Sequence, residues 1–278
     1  MEIEGSESAQ RVPGKPADPV VEFFDRRAKD YDREYTDETP GGFALRVRRE
    51  KVMALFDQPN GRVLDVGCGP GVMAEQILNR GCTFWGVDPS MGMIGIARTR
   101  FPEGPRVGFR CAGAQSLPFE DGYFDAVLCM GVIDALEDRQ AAIREMLRVL
   151  KPNGTLIITF TNVRNPYAWW KGYLFYPLVG IWHGFLARLR GSTLTARRAA
   201  GKTRTLYSVE SAHRVLTAQG GNVLKTVGYY YNPFLSPLDE MMPSLALAAT
   251  KRIEAKAEGE PNWLAAGFIV KARKLPRP

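Results

Sequence analysis

The sequence predicts an α/β fold with a doubly wound, mostly parallel sheet. Short apolar runs alternate with segments of helical length from residue 43 to residue 160, and the first of these runs, Val63–Val66, leads into a glycine-rich turn. Such runs are typical of strands covered on both faces, and strand–helix alternation is typical of parallel sheets. Because ligands of such folds bind beyond the carboxyl ends of the strands, we expect the site at that edge of the sheet.

The individual elements follow from apolar periodicity and from capping and turn residues. Ser90 and Ser208 are suited to begin helices, Gly220-Gly221 is suited to end one, and Lys151–Gly154 predicts a turn before the fifth strand. We expect strands at 62–66, 83–87, 107–111, 124–130, 154–160, 222–231 and 267–272. Helices are expected at 21–35, 43–56, 72–80, 90–100, 139–150, 208–218 and 245–257.

The turn after the first strand has the spacing Gly-x-Gly-x-Gly, at Gly67, Gly69 and Gly71. Glycine permits positive φ and a close approach of a ligand to the backbone, and the free N–H groups at the start of the next helix attract an anion. A dinucleotide fingerprint would need glycine where this chain has Val72, so the spacing argues against that class of ligand. An acid, Asp65, lies two residues before the turn.

The second strand also ends in an acid, because Asp88 directly follows Phe84–Val87. The carboxyl ends of neighbouring parallel strands lie at the same edge of a sheet, which places Asp88 near the glycine turn. A carboxylate at this position can accept hydrogen bonds from both hydroxyls of a ribose. The two features together predict a ligand that carries a nucleoside.

These residues resemble the motifs of class I S-adenosylmethionine (SAM)-dependent methyltransferases that act on small molecules or lipids. The resemblance continues through Leu117–Phe119, Phe124–Val127 and Leu147–Gly154, covers residues 23–160 well and covers the C-terminal third loosely. It implies a Rossmann-like, seven-stranded sheet with an antiparallel C-terminal hairpin and an inserted cap after strand five. It also implies SAM as the cofactor.

The resemblance further implies which residues surround the cofactor. An N-terminal helix would act as a lid with the Tyr31 hydroxyl near the methionine end, although a packed surface aromatic is the alternative. Pro89 and Met91 would contact adenine, with core packing as the alternative for Met91. Many members carry Asp where this chain has Gly113, so backbone groups or Gln115 would meet the adenine here. The full expected set is Tyr31, Asp65, Gly67, Cys68, Gly69, Gly71, Asp88, Pro89, Met91, Gly113, Ala114, Gln115 and Met130.

The net charge of +7 is concentrated in residues 161–206, which hold eight basic residues and no acids, so the remainder of the chain carries −1. The same segment is rich in aromatic residues, but Lys171, Pro177 and His183 interrupt its apolar stretch, which makes it a poor transmembrane span. Aromatic and cationic residues without acids favour contact with an anionic membrane surface. A soluble lid over the pocket is the alternative. Nucleic acid ranks last, because the motif of amino-methylating DNA enzymes is absent after strand four.

The chain divides into four parts on these patterns. Residues 1–20 form a disordered tail, 21–160 the SAM-binding core with its lid helix, 161–206 the aromatic and basic insertion, and 207–278 the rest of the sheet and the substrate pocket. The first ten residues are not typical of a signal peptide, and the four cysteines form no Cys-x-x-Cys pair. We therefore expect a cytoplasmic protein, at most peripheral at the inner membrane face, with reduced thiols and no metal site.

Two side chains are candidates for acid–base chemistry. Asp134 follows the fourth strand, where the methyl group should face the acceptor, and its alternative role is the N-cap of a helix from Leu136 onward. His183 lies in the insertion, with packing as the alternative. The sequence thus predicts a methyltransferase for a lipophilic small-molecule or lipid acceptor. A soluble natural-product tailoring methyltransferase and a non-catalytic SAM-fold adaptor are the other hypotheses.

Overall fold

The computed structural model describes residues 19–31, 33–166, 170, 205–233, 241–257 and 259–276. Its strands are β1 Arg62–Val66, β2 Thr83–Asp88, β3 Val107–Cys111, β4 Phe124–Cys129, β5 Leu150–Thr161, β6 Gly221–Tyr231 and β7 Ala265–Lys274. Its α-helices are α1 Pro19–Tyr31, α2 Pro40–Leu55, α3 Ala74–Leu78, α4 Met91–Arg100, α5 Arg139–Val149, α6 Val209–Ala218 and α7 Pro243–Lys256. Short 3₁₀ helices lie at Arg33–Tyr35 and Ile133–Ala135.

The seven strands form one sheet in the order β3-β2-β1-β4-β5-β7-β6. Strands β1 to β5 pair in parallel, whereas β7 runs antiparallel to both β5 and β6. The predicted fold class is therefore confirmed, including the antiparallel C-terminal pair. The strand order reverses direction at β1 and β4, and a cleft at this point is the usual ligand site of such sheets.

Helices cover both faces of the sheet and create two apolar cores. Alternate residues of β1 point to opposite faces, so Val63 packs with α2, α3 and α4 while Leu64 packs with α5 and α6. Both side chains are fully buried. The apolar run of β1 thus fits a central strand covered on two sides, as the sequence predicts.

The clearest differences from the sequence-based boundaries lie in the first helix, in α3 and in β5, and other element ends shift by up to three residues. The first helix ends at Tyr31 and a 3₁₀ turn follows, where a single helix to Tyr35 is predicted. Helix α3 spans only Ala74–Leu78, because residues 70–73 are still in the turn. Strand β5 begins at Leu150, so the predicted turn lies inside it as an irregularity with Asn153 at φ 63°.

Two buried asparagines fix the chain where it leaves β5. Asn162 Nδ2 donates to the carbonyls of Asn262 and Ala265, and Asn165 Nδ2 donates to that of Leu264. These bonds satisfy the backbone between α7 and β7. Most of the predicted 161–206 insertion and the predicted 1–20 tail lie outside the described residues. Among the residues that are described, no helix combines the length and apolar character that a bilayer crossing needs.

Candidate cofactor and acceptor site

A cleft opens at the carboxyl ends of β1, β2 and β4, beneath the N-terminal helix α1. Its walls come from the glycine turn, the segments that follow β2, β3 and β4, and the inner face of α1. Among the expected cofactor residues, those that line it are Tyr31, Asp65, Gly67, Cys68, Gly69, Asp88, Pro89, Gly113, Ala114, Gln115 and Met130. The cleft is therefore assembled at the predicted edge of the sheet.

The glycine turn bends the backbone away from β1 and lets it approach the cleft closely. Gly67, Gly69 and Gly71 have φ values of 74°, 52° and 79°, a region that side chains with a Cβ rarely adopt. The N–H groups of Gly67 and Cys68 donate to the Val87 carbonyl at 2.7 and 3.0 Å, which ties the turn to β2. Gly71 lies behind the wall, where an added Cβ would meet the ring of Phe101 at 3.3 Å.

Asp88 joins the glycine turn to the start of α4. Its Oδ2 accepts from Gly69 N at 3.0 Å and its Oδ1 accepts from Ser90 N at 2.9 Å. Burial raises the pKa of Asp88 to about 6, although these two N–H groups act to lower it. Each carboxylate oxygen accepts one protein hydrogen bond, and a carboxylate has about four acceptor positions, so capacity for two ligand hydroxyls remains.

Asp65 is the second carboxylate of the cleft and is buried at the end of β1, with 2% of its surface exposed. Burial, together with the nearby charge of Asp88, raises its pKa to about 7. Within the described residues the structure gives this carboxylate no hydrogen-bond donor. A buried carboxyl group of this kind is costly to ionise unless a cation is bound close to it.

Helix α1 covers the cleft and is fastened to α4 by Asp25. Asp25 Oδ1 accepts from Ser90 Oγ at 2.5 Å and from Gly92 N at 3.0 Å. Ser90 in turn caps α4 as predicted, because its Oγ accepts from Met93 N. Tyr31 lies at the far end of α1, facing the glycine turn, and burial raises its pKa to about 12, so it remains a neutral phenol.

The end of the cleft beside α4, where the sequence predicts adenine contacts, differs from the expectation in one residue. Met91 is 56% exposed and lies away from the cleft, whereas Met93 is buried and forms part of the wall. Two positions along a helix correspond to a rotation of about 200°, so the neighbouring methionine faces inward. Gly113 and Gln115 also line this end, and the Gln115 side chain lies beside Gly113.

The opposite end of the cleft follows β4 and presents mostly apolar side chains. Met130, Gly131 and Val132 line it, and Gly131 N donates to Thr159 Oγ1 at 2.8 Å. Asp134 lies outside the lining, where its Oδ2 accepts from Thr161 N at 3.0 Å and Thr161 Oγ1 at 2.5 Å.

The N-cap of α5 is Asp138, so the alternative expectation of a cap at Asp134 is wrong. The cause is the 3₁₀ turn at Ile133–Ala135, which delays the start of the helix to Arg139. His183 lies outside the described residues. The structure therefore assigns the Asp134 carboxylate to holding the β4 loop against β5.

Several contacts within the site are not predicted by the sequence, although Asp25 and Tyr31 belong to the predicted lid helix. Asp25 contacts a segment that lies 65 residues further along the chain, and Tyr35 and Val132 also line the cleft. Val132 packs against Gly67 so closely that a Cβ at Gly67 would clash with it. Only the tertiary fold brings these segments together.

Comparison with known proteins gives a consistent family. Residues 64–158 match the family model described as a methyltransferase domain. The chain is 35% identical over 160 residues to the demethylmenaquinone methyltransferase of Renibacterium salmoninarum, covering 55% of this chain and 66% of the relative. It is 36% identical over 124 residues to a ubiquinone biosynthesis O-methyltransferase of Xanthomonas oryzae pv. oryzae, covering 44% and 52%. The chain thus spans between half and two thirds of the length of these relatives.

The fold is also similar to that of a known methyltransferase. The crystal structure of a SAM-dependent methyltransferase from Thermotoga maritima superposes with a TM-score of 0.61 at 21% identity, covering 92% of this chain and 99% of the other. At this identity the likeness establishes the fold alone. Residues 64–158 thus form a methyltransferase domain, and the chain has the fold of the SAM-dependent methyltransferases.

Proposed function

We propose that this protein transfers a methyl group from SAM to a lipophilic small-molecule or lipid acceptor. The observation that carries the proposal is the cleft between the glycine turn and α1, where one end holds the buried carboxylate of Asp65 and the partly buried one of Asp88, and the other end is largely apolar. When bound, SAM supplies an electrophilic methyl carbon, and the electron pair of the broken C–S bond stays on sulfur.

The residues at the carboxylate end fit SAM. Asp88 would accept the two ribose hydroxyls, and Asp65 would face the positively charged methionine end. A bound cation would stabilise the ionised form of Asp65, whose pKa of about 7 reflects a buried and uncompensated carboxylate. Pro89 and Met93 would pack on the adenine, and the Tyr31 hydroxyl would donate toward the methionine end.

The apolar end favours a lipophilic acceptor. Val132, Ala135 and Leu136 line this end together with one carboxylate, Glu137, and Val21 and Phe24 of α1 also line the cleft. Apolar walls bind by excluding water, which also suits a reaction that needs a dry site. The names of the two curated relatives, one for demethylmenaquinone and one for ubiquinone biosynthesis, agree with such an acceptor.

Catalysis would then depend mainly on placing the acceptor in line with the methyl group. Positioning can account for a large part of the acceleration when the methyl donor is already activated. Asp134 would contribute indirectly by holding the loop after β4 in place through Thr161. A general base is needed only for an acceptor that enters the site protonated.

We further propose that the protein works at an anionic membrane surface. The support is the charge of +8 in residues 161–206, which also contain Trp169, Trp170 and Trp182. Exposed apolar side chains at Met241, Leu245 and Trp263 add to this support. Cations near anionic headgroups contribute about 1 kcal/mol each, which is enough for reversible association.

Methyl transfer is tested with SAM that carries a tritiated methyl group. The full chain is incubated with a total lipid extract or with a water-soluble extract, and the organic phase is counted after partition. We expect label in the organic phase with the lipid extract, and no label with the Asp88→Ala variant. Label confined to the aqueous extract would favour the soluble tailoring enzyme, and cofactor binding without any transfer would favour the adaptor.

Membrane association is tested separately by vesicle flotation. The full chain is mixed with vesicles of neutral phosphatidylcholine or with vesicles that also contain phosphatidylglycerol. We expect flotation with the anionic vesicles only, and release at high salt because the attraction is screened. A protein that stays at the bottom of both gradients would contradict the membrane proposal and leave the proposed reaction unaffected.

A further inference from the structure

The loop between β3 and β4 lines the cleft with its first half and is bonded to α5 with its second half. Residues 112–115 belong to the lining of the cleft, at the end where the sequence predicts adenine contacts. The hydrogen bonds to α5 come from the stretch 117–121. Because the two halves are joined within a few residues, the bonds that hold the second half also fix the position of the first.

Arg148, near the end of α5, donates to this loop with both of its terminal nitrogens. Its Nη1 donates to the Phe119 carbonyl at 2.8 Å and to Asp121 Oδ1 at 2.7 Å, and its Nη2 donates to the Leu117 carbonyl at 3.0 Å. A planar guanidinium donates in fixed directions. One side chain therefore holds three acceptors of the loop in a defined arrangement.

Glu145, one turn earlier on α5, completes this anchor. Its carboxylate accepts from Arg148 Nε at 2.7 Å and from Arg148 Nη2 at 2.8 Å, so every N–H group of the guanidinium has an acceptor. Glu145 Oε2 also accepts from Leu117 N at 2.9 Å, so both backbone groups of Leu117 are bonded to α5. The hydrogen bonds from Arg148 hold the pKa of Glu145 below its usual range, and the pair stays ionised at neutral pH.

The first half of the loop can recognise a base mainly through its backbone. Gly113 has no side chain, and Ala114 has only a methyl group and is buried. Ser116 N donates back to the Gly113 carbonyl, whereas the N–H groups of residues 113–115 have no acceptor within the part of the chain that the structure describes. A purine bound at this end would therefore meet donors whose positions depend on how the loop is held.

We propose that Arg148 and Glu145 position the β3–β4 loop so that its backbone at residues 113–115 distinguishes adenine from other purines. The inference rests on SAM as the methyl donor of the proposed function and adds the residues that set its base specificity. Neither side chain belongs to the described lining of the cleft, so both are positioning residues that act through the loop. The motif residues Leu117–Phe119 and Leu147–Gly154, which are distant in the sequence, thus meet in one anchor.

The test compares two ligands that differ only in the base. S-adenosylhomocysteine carries adenine, in which N1 accepts a hydrogen bond and the amino group donates. S-inosylhomocysteine carries hypoxanthine, in which N1 is protonated and an oxygen replaces the amino group, so the donors and acceptors are exchanged. Each ligand is titrated by calorimetry into the full chain, and the ratio of the two dissociation constants is the readout. We expect the wild type to bind the adenine ligand at least about tenfold more tightly.

Variants then assign this preference to the anchor. Arg148→Met and Glu145→Leu should reduce the ratio to about threefold or less, chiefly by weakening the adenine ligand. Arg148→Lys keeps the charge but loses the planar fork, so it should retain only part of the preference. Glu145→Gln keeps an acceptor for Leu117 N and should retain most of it. Arg144→Met is the matched control, because it removes the same charge from an exposed position of the same helix.

The outcomes separate a positioning role from a purely structural one. A structural role would lower the stability in urea and the affinity for both ligands without changing their ratio. An unchanged ratio in Arg148→Met would therefore overturn the inference, as would a wild type that binds both ligands equally or an equal loss in Arg144→Met. If Arg148→Met does not fold, a wild-type ratio in Arg148→Lys would overturn it instead. No binding of S-adenosylhomocysteine by the wild type would contradict the proposed function, and the inference with it.

Discussion

The two ends of the cleft are built in different ways. At the cofactor end, Asp65, the glycine turn and Asp88 come from β1, β2 and the segments that follow them directly. At the proposed acceptor end, Gly131, Val132 and Leu136 follow β4, and the Arg48 guanidinium of α2, from 83 positions earlier in the chain, lies over Gly131. The cofactor end is therefore encoded locally, whereas the acceptor end exists only once the whole sheet and α2 have assembled. A substitution at one end should spare the other, and this difference can be tested.

The largest expected effect is at Asp88, at the cofactor end. Asp88→Ala removes the acceptor of two ribose hydroxyls and also frees Gly69 N and Ser90 N. Hydrogen bonds to a charged group contribute about 1.5–3 kcal/mol each, so we expect the affinity for S-adenosylhomocysteine to fall about a hundredfold or more. Calorimetric titration measures this change.

A matched control is available on the outer surface. Asp57 forms a salt bridge with Lys271 at 2.6 Å, and its side chain is 70% exposed. Asp57→Ala should leave the affinity within about twofold of the wild type, since surface pairs contribute little. Equal losses in the two variants would show that Asp88 has no specific role.

The next effect concerns stability at the acceptor end. Thr161→Val removes the hydroxyl that donates to Asp134 Oδ2 at 2.5 Å and places a methyl group beside this buried carboxylate. We expect the free energy of unfolding to fall by about 1–3 kcal/mol, measured by urea denaturation, with unchanged affinity for S-adenosylhomocysteine. Asp134→Asn keeps an acceptor for Thr161 and should cost less.

The same pair of variants tests the acid–base hypothesis for Asp134. If Asp134→Asn loses methyl transfer completely while it keeps its stability, then this carboxylate acts in the chemistry. Thr99→Val is a suitable control, because Thr99 is an exposed helical residue that donates only to the Gly95 carbonyl. Its unfolding free energy should stay within about 0.5 kcal/mol of the wild type.

The contrast between the two ends also explains what the sequence could predict. The Asp65 and Gly67–Gly71 spacing and the acid that ends β2 lie within a few residues of the strands that position them, so they are visible in the sequence. The strand positions and the Ser90 cap follow from the same local patterns, and the resemblance adds the seven-stranded sheet with its antiparallel C-terminal pair. The structure confirms the fold class and the cap.

The remaining features depend on long-range geometry or on a shift of one or two residues. Whether Met91 or Met93 faces the cleft depends on how α4 is rotated against the sheet, which the correctly predicted Ser90 cap does not determine. Asp134 is directed toward β5 by a 3₁₀ turn that has no clear sequence signal. The contact of Arg48 with Gly131 forms only when α2 and the loop after β4, whose residues are 83 positions apart, meet in the folded chain.

A third prediction concerns pH and returns to the cofactor end. The folded-state pKa of Asp65 is about 7, against an ordinary value of 3.8. Between these values the folded protein binds more protons than the unfolded chain, so the stability contributed by this group falls as pH rises from about 4 to about 7. A bound ammonium group favours the ionised form, so the affinity for S-adenosylhomocysteine should rise about tenfold over pH 6 to 8.

These two opposite trends distinguish Asp65 from a general pH effect. Thermal unfolding of the free protein measures the trend in stability, and calorimetric titration in the same buffers measures the trend in affinity. Asp65→Asn should flatten both curves. A smaller pH dependence should remain from Asp88, whose pKa is also raised, to about 6. Identical pH profiles for the variant and the wild type would exclude Asp65 as the group that meets the ammonium.

The smallest expected effect is at the lid, which belongs to neither end alone. Asp25→Ala removes the acceptor of Ser90 Oγ and Gly92 N and so releases α1 from α4, while Ser90 still caps α4. Loss of about 1 kcal/mol in the contact between α1 and α4 should make S-adenosylhomocysteine dissociate about fivefold faster. Stopped-flow displacement measures this rate. Asp30→Ala, on the same helix with a 73% exposed side chain, is the control and should leave the rate unchanged. If Asp25→Ala also leaves the rate unchanged while hydrogen exchange shows α1 released, then helix opening does not limit cofactor release, and Asp25 serves to dock the helix without gating the cleft.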